Sequence, residues 1–224
     1  MSTHDPIVFL FDVDNTLIDN DRFSADLAAQ LEQRFGHDGR ERYNAIDQEV
    51  RAQVGYADYL GVLQRLRGTQ SGIDFMEMSF FLLDYPFDER RFPGALETID
   101  HLRTLGRPVI MSDGDTVFQP RKIRRAGLWD AFRGDVLIYV HKEEMLDDMQ
   151  ARYPADHYVM VDDKPRILVA IKKLLGSRVT TVFVKQGHYA TAAGHAMDET
   201  PPDIVVSGVG ELAAMGREAF VAAA

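Results

Sequence analysis

Apolar residues come in two rhythms along this chain. Near the start, Ile7 to Phe11 run without a polar interruption, the pattern of a strand covered on both faces in a parallel sheet. The period then changes: Phe23, Leu27, Leu31 and Phe35 recur every four residues with charges between them, which predicts an amphipathic helix. Tyr43, Ile46, Val50 and Val54 repeat that spacing, followed by Tyr59 to Leu66 and Phe75 to Leu83, with Gly36, Gly68 and Gly72 as breaks. No strand pattern interrupts Asp21 to Leu83, so this stretch reads as an insert of several helices, with the Phe80 to Leu83 run in its core.

After Pro86 the first rhythm returns. Ala95, Leu96, Ile99, Leu102 and Leu105 outline a helix with Pro93 before it and Gly106 after it. Strands are predicted at Pro108–Met111, Val136–Val140, His157–Val161, Val179–Val184 and Ile204–Val206, separated by helices at Arg121–Arg125, Glu143–Ala151 and Ile167–Leu175. Alternation of this kind predicts an α/β fold, a doubly wound Rossmann-like parallel sheet with helices on both faces and right-handed crossovers. The expected organisation is a core of residues 1–19 and 88–224 with a helical cap at 20–87.

Composition narrows the function classes. A chain of 224 residues with 46% hydrophobic content can bury a substantial core. A net charge of -10 argues against nucleic acid or an anionic membrane surface as the main partner and says little about small substrates. The absence of cysteine excludes disulfides, thiolate zinc sites and cysteine nucleophiles. No apolar run approaches the roughly 20 residues that span a bilayer, and Met1 to Asp5 lacks the basic region of a leader. The expectation is a soluble, cytoplasmic protein.

Candidate chemistry lies where the strands end. Asp12 and Asp14 follow the first strand, Ser112 the second, Lys142 the third, and Asp162 with Asp163 the fourth. Ligands of open parallel sheets bind beyond the carboxyl ends of the strands, so four strands send their first polar groups to one place. The aspartate pair alone would read as a solvated turn. A calcium loop fails on spacing, because Leu17 stands where its Gly belongs and Phe23 where its terminal Glu belongs. Crowded carboxylates lose hydration and repel each other unless a cation or a reacting group compensates them.

This ordered set, beginning with Asp12-Val13-Asp14-Asn15-Thr16, resembles the four motifs of the haloacid dehalogenase-like hydrolase superfamily. Pro93-Gly94-Ala95 and Arg125-Ala126-Gly127-Leu128 are similar to further stretches of that family, and the helical insert falls where its C1-type cap sits. The resemblance implies a Mg²⁺-dependent phosphatase acting on a small phosphate ester through an aspartyl phosphate. Asp12 is then the nucleophile and Asp14 the general acid and base; Ser112, Asp113, Gly114 and Lys142 hold the phosphate. Asp12, Asp14 through its backbone carbonyl and Asp162 hold the metal, with Asp163 a further candidate. An acid at position 14 fits an oxygen leaving group that needs a proton, which a 2-haloacid dehalogenase does not require.

Two positions depart from the family pattern. Arg166 stands where many members carry a second acid, which leaves Asp162 and Asp163 to divide that work, and Glu143 follows Lys142 where proline is common, which keeps Lys122 as a competitor for the lysine role. A mutase of the same superfamily and a binding module without turnover remain alternative readings. Arg22, Arg51, Arg65 and Arg67 are candidate contacts for a substrate anion within the insert, whereas His188 and Tyr189 read as surface loop.

Overall fold

The computed structural model describes residues 5–68, 72–189 and 200–221. Six parallel strands form one sheet: β1 (Asp5–Phe11), β2 (Arg107–Asp113), β3 (Val136–Tyr139), β4 (Ala155–Asp162), β5 (Val179–Val184) and β6 (Ile204–Val206), in the order β3-β2-β1-β4-β5-β6. The doubly wound fold expected from the alternation is therefore present.

The apolar run of β1 supplies both faces of the sheet. Ile7, Phe9 and Phe11 enter one core cluster, and Val8 and Leu10 enter the other, as the two-residue side-chain period of a strand requires. All five are fully buried. Helices α4 (Ala95–Leu102), α5 (Phe118–Arg125) and α6 (Leu128–Ala131) cover the first face, while α7 (Leu146–Arg152) and α8 (Pro165–Leu175) cover the second. A short α9 (Arg217–Val221) places Phe220 edge-on against Phe9, with ring centroids 5.2 Å apart.

Between β1 and α4 the chain builds three helices, α1 (Asn20–Val54), α2 (Tyr59–Arg67) and α3 (Asp74–Asp84). Asp19 caps α1 by accepting from the Arg22 N–H, and Asp58 caps α2 by accepting from the Gly61 N–H. Gly36 breaks α1 internally at φ 68°, ψ -177°, a conformation that glycine adopts without a Cβ penalty. The outgoing and returning segments are tied together: the Asp19 N–H donates to the Arg90 carbonyl at 2.7 Å and the Phe92 N–H to the Leu17 carbonyl at 3.0 Å.

Phe23 anchors this helical segment to the sheet side. Its ring lies 4.9 to 5.9 Å from those of Tyr59, Tyr85, Phe87 and Phe118, the last contributed by α5. The Phe80–Leu83 run divides: Leu82 is fully buried, but Phe80 is 61% exposed, because consecutive helical residues lie about 100° apart and cannot all face one core.

Candidate active site

The strand order reverses between β1 and β4, and at such a switch point the loops diverge and leave a crevice. Parallel pairing sets Phe11 opposite Val161, so the next residues, Asp12 and Asp162, emerge side by side. Burial is nearly complete: Asp12 is 1% exposed, and Asp162, Asp163 and Lys142 are fully buried. Lys142 begins a 3-10 turn (Lys142–Glu144) three residues beyond β3 and turns its ammonium inward. Its Nζ lies 2.5 Å from Asp12 Oδ1 and 2.6 Å from Asp162 Oδ2. Of the two candidate lysines, Lys142 is the one that contacts Asp12.

Lys122 has a different task. Projecting from α5 and also fully buried, it donates to Asp14 Oδ1 and, at 2.7 Å, to Asn20 Oδ1. Its ammonium sits 5.7 and 5.4 Å from the ring centres of Phe23 and Phe87, a cation–π setting that offsets part of its lost hydration. The Asp14 carboxylate is thus tied through Lys122 to the start of α1.

Oxygen atoms of Asp12, Asp162 and Asp163 all lie within 4.8 Å of one another. Asp12 Oδ2 and both oxygens of Asp163 are buried with no hydrogen-bond partner among the described residues. Such orphaned carboxylate oxygens are costly unless a cation meets them, and an all-oxygen donor set suits Mg²⁺. The residues present therefore fit a divalent metal, with Asp163 as exposed to that need as Asp162. The Asp162 Oδ1 already accepts the Lys164 N–H at 2.8 Å.

The three acids differ in proton affinity. Burial pushes Asp12 up, but the charges of Lys142 and Lys164, with hydrogen bonds from Lys142 and the Val13 N–H, bring it below the ordinary carboxylate value. Asp12 is therefore ionised at neutral pH. Burial and then the Asp12 charge hold Asp162 above its ordinary value despite Lys142. Burial followed by repulsion from Asp162 and Asp12 pushes Asp163 up to about 9.

Ser112 and Asp113 are the last residues of β2 rather than its successors. The Ser112 hydroxyl accepts from Gln119 Nε2 at 3.0 Å, and the Asp113 carboxylate accepts the Lys142 N–H at 2.8 Å, stitching β2 to the lysine turn. Gly114 differs from expectation as a phosphate donor, since its N–H is spent on the Tyr139 carbonyl at 2.9 Å. Its lack of a side chain matters instead, because a Cβ there would stand 2.8 Å from Gln119 Cβ.

A cavity of about 310 Å³ opens between the sheet end and helices α1 and α2. Asp14, Asp113, Gly114, Gln119 and Lys164 line it from the sheet side, and Ser24, Arg51, Tyr56 and Tyr59 from the helical side. Asp12, Ser112, Lys142, Asp162 and Asp163 are not among its lining residues. Of the candidate arginines only Arg51 reaches it; Arg67 lines a separate depression on α2 and α3. His188 and Tyr189 are exposed loop residues, as the sequence suggests, and they also line the cavity. Asp21 Oδ1 lies 2.6 Å from His188 Nδ1 and Asp21 Oδ2 accepts the His188 N–H at 2.7 Å, which pulls the loop after β5 over the site.

Sequence reasoning missed Lys164, Gln119 and Asn20. Lys164 is the third residue of the polar step after β4, and its position beside Asp163 was the available signal. It makes no hydrogen bond or ion pair through its ammonium among the described residues, but lies 5.9 Å from the Tyr189 ring centre and is held strongly protonated, burial notwithstanding, by Asp12, Asp162, Asp163 and Asp14.

Comparison with known proteins places the chain in a family. A family model for haloacid dehalogenase-like hydrolases matches residues 8–184. A crystal structure of a haloacid dehalogenase-like hydrolase from Burkholderia xenovorans LB400 is similar at a TM-score of 0.88 and 54% identity, over 95% of this chain and 99% of that one. At 17% identity, a hydrolase of the same type from Bacillus subtilis, solved bound to magnesium, gives a TM-score of 0.62 over 92% of this chain and 96% of that one. The L-2-haloacid dehalogenase of Xanthobacter autotrophicus gives 0.58 at 19% identity over 92% and 96%; these two likenesses speak for the fold. A search of curated proteins returns no match.

Proposed function

The chain belongs to the haloacid dehalogenase-like hydrolase family, and on that premise we propose that it is a Mg²⁺-dependent phosphatase of small phosphate esters working through an aspartyl phosphate. The observation that carries the reading is the division of labour between the first two acids. Asp12 is ionised, with Oδ1 on Lys142 and Oδ2 without a partner. Asp14 lines the cavity with its carboxylate oriented by Lys122, whose ammonium also donates to Asn20.

In the first step an unclaimed lone pair of Asp12 Oδ2 attacks phosphorus, and the bond from phosphorus to the leaving oxygen breaks. Asp14 gives that oxygen a proton. In the second step water attacks phosphorus, Asp14 takes the water's proton, and the Asp12 carboxylate leaves. Covalent catalysis of this form replaces one difficult displacement by two easier ones. Lys142 and Ser112 carry phosphoryl charge at the strand ends, and Lys164 offers a third contact from the cavity wall.

Asp12, Asp162 and Asp163, with the backbone carbonyl of Asp14, would hold the Mg²⁺, which when bound screens the negative charge of the phosphoryl oxygens. Residues 20–87 serve in this reading as the cap that shields the reaction, and the substrate is a small molecule met in the cytoplasm, with neither nucleic acid nor membrane as partner. A dehalogenase would need no proton donor beside the nucleophile, and the anchored Asp14 counts against it. Release of inorganic phosphate from an aryl phosphate and a panel of phosphorylated metabolites, with Mg²⁺ and with chelator, tests the proposal. Halide release from 2-haloacids without any phosphatase activity would replace it.

A further inference from the structure

Among the described residues the charges facing the cavity are paired off except Lys164, and Arg51 is paired through only one of its donors. Asp14 is bound to Lys122, Asp21 to His188 and Arg166 to Glu143 at 2.8 Å, while Asp113 accepts the Lys142 N–H. Lys164 on the sheet side has no such partner. Arg51, in the last turn of α1 on the helical side, uses its Nε–H on Asp47 at 2.6 Å and lies 5.9 Å from the Tyr59 ring centre. A guanidinium carries five N–H donors in a planar fork, more than Asp47 and Tyr59 can occupy. Its side chain is 46% exposed, and it borders the cavity whereas Asp47 does not.

Two cations on opposite walls call for a ligand with two anionic ends. The phosphate belongs at the sheet end, next to Asp12. We infer that Arg51 binds a second anion of the substrate, a carboxylate, so that the substrate class is a short phosphate ester bearing a carboxylate; this rests on the phosphatase reading above. The planar guanidinium edge matches a carboxylate with two parallel hydrogen bonds, and Tyr59 and Asp47 hold it in orientation. A volume near 310 Å³ is at the lower end for ligand pockets, which favours a chain of a few carbons. The same cation repels phosphorylated amines.

Calorimetric titration of the Mg²⁺-supplemented protein with three inert phosphonates of matched length tests this inference: 3-phosphonopropionate, its primary amide and 3-aminopropylphosphonate. Hydrogen bonds to charged groups contribute about 1.5–3 kcal/mol, so the acid should bind about 10- to 100-fold more tightly than the amide, and the amine most weakly. Arg51→Met and Arg51→Gln, each checked for native melting, should bring the acid down to the affinity of the amide, whereas Arg67→Met should keep the preference. Equal affinity for acid and amide in the native protein, binding of none of the three, or a preference that survives both Arg51 substitutions overturns it. Selective binding without phosphate release from any ester would retain the Arg51 subsite and sink the phosphatase reading; phosphate release with no acid preference would do the reverse.

Discussion

Replacing Lys142 with methionine removes the cation shared by Asp12 and Asp162 while keeping most of the side-chain volume. Lys142 is fully buried, with contacts of 2.5 and 2.6 Å to those two acids, and Lys164 is the remaining cation near the cluster. Removing one partner of a buried ion pair typically costs about 3–5 kcal/mol. For a chain of this size that corresponds to a fall in Tm of about 6–20 °C. Lys122→Met provides the contrast. Its partner Asp14 has a side chain 26% exposed and can be hydrated, and methionine would pack well against Phe23 and Phe87, so about 1–2 kcal/mol is expected. Thermal melting in chelator and in Mg²⁺ measures both. Mg²⁺ should restore part of the loss in Lys142→Met, and lower pH should shrink it as the acids take up protons. A loss below about 1 kcal/mol for Lys142→Met in chelator would refute the claim that the ammonium compensates ionised buried carboxylates.

Further outcomes follow from the same geometry. Asp12→Asn should abolish phosphate release, and Asp14→Asn should lower turnover about 10²- to 10⁴-fold; unchanged turnover in either assay would move the chemistry elsewhere. Asp163, raised from 3.8 to about 9 by burial and by Asp162 and Asp12, binds a proton more tightly folded than unfolded. Its contribution to metal-free stability is therefore full below pH 3.8 and lost as pH rises through about 9. Mg²⁺ should accordingly bind more tightly as pH rises toward 9 and release protons, which calorimetry in two buffers of different ionisation enthalpy counts; no proton release at neutral pH would contradict this assignment. Gly94→Ala should destabilise by more than about 1–2 kcal/mol in urea unfolding, because φ is +79° and the new Cβ would stand 2.6 Å from Gly210 Cα.

The fold was legible because its signals are local. The uninterrupted apolar run of β1 and the alternation of strand and helix patterns after Pro86 report a sheet buried on both faces, and the polar step at each strand end marks the sheet's working edge. Asp12, Ser112, Lys142 and Asp162 could therefore be named without coordinates. The strand order could not, and with it went Lys164: a lysine before Pro165 reads as solvated until β4 is known to lie beside β1. Lys122 and Gln119 sit on a helix whose spacing marks them as surface, yet α5 packs under the helical segment and buries both. Arg51 was one arginine among four until the fold of α1 and α2 carried it alone to the cavity. The Gly114 N–H was expected to be available, and the extension of β2 against the Tyr139 carbonyl consumes it.

The central claim is a covalent bond between Asp12 and phosphorus. Protein turning over a phosphate ester in Mg²⁺ can be quenched in acid within milliseconds, reduced with borohydride, digested and analysed by mass. An acyl phosphate is reduced to the alcohol, so homoserine at position 12 is the predicted product, absent in Asp12→Asn and in chelator. Phosphate release with an unmodified residue 12 at every quench time, or homoserine at another acid, would contradict the account.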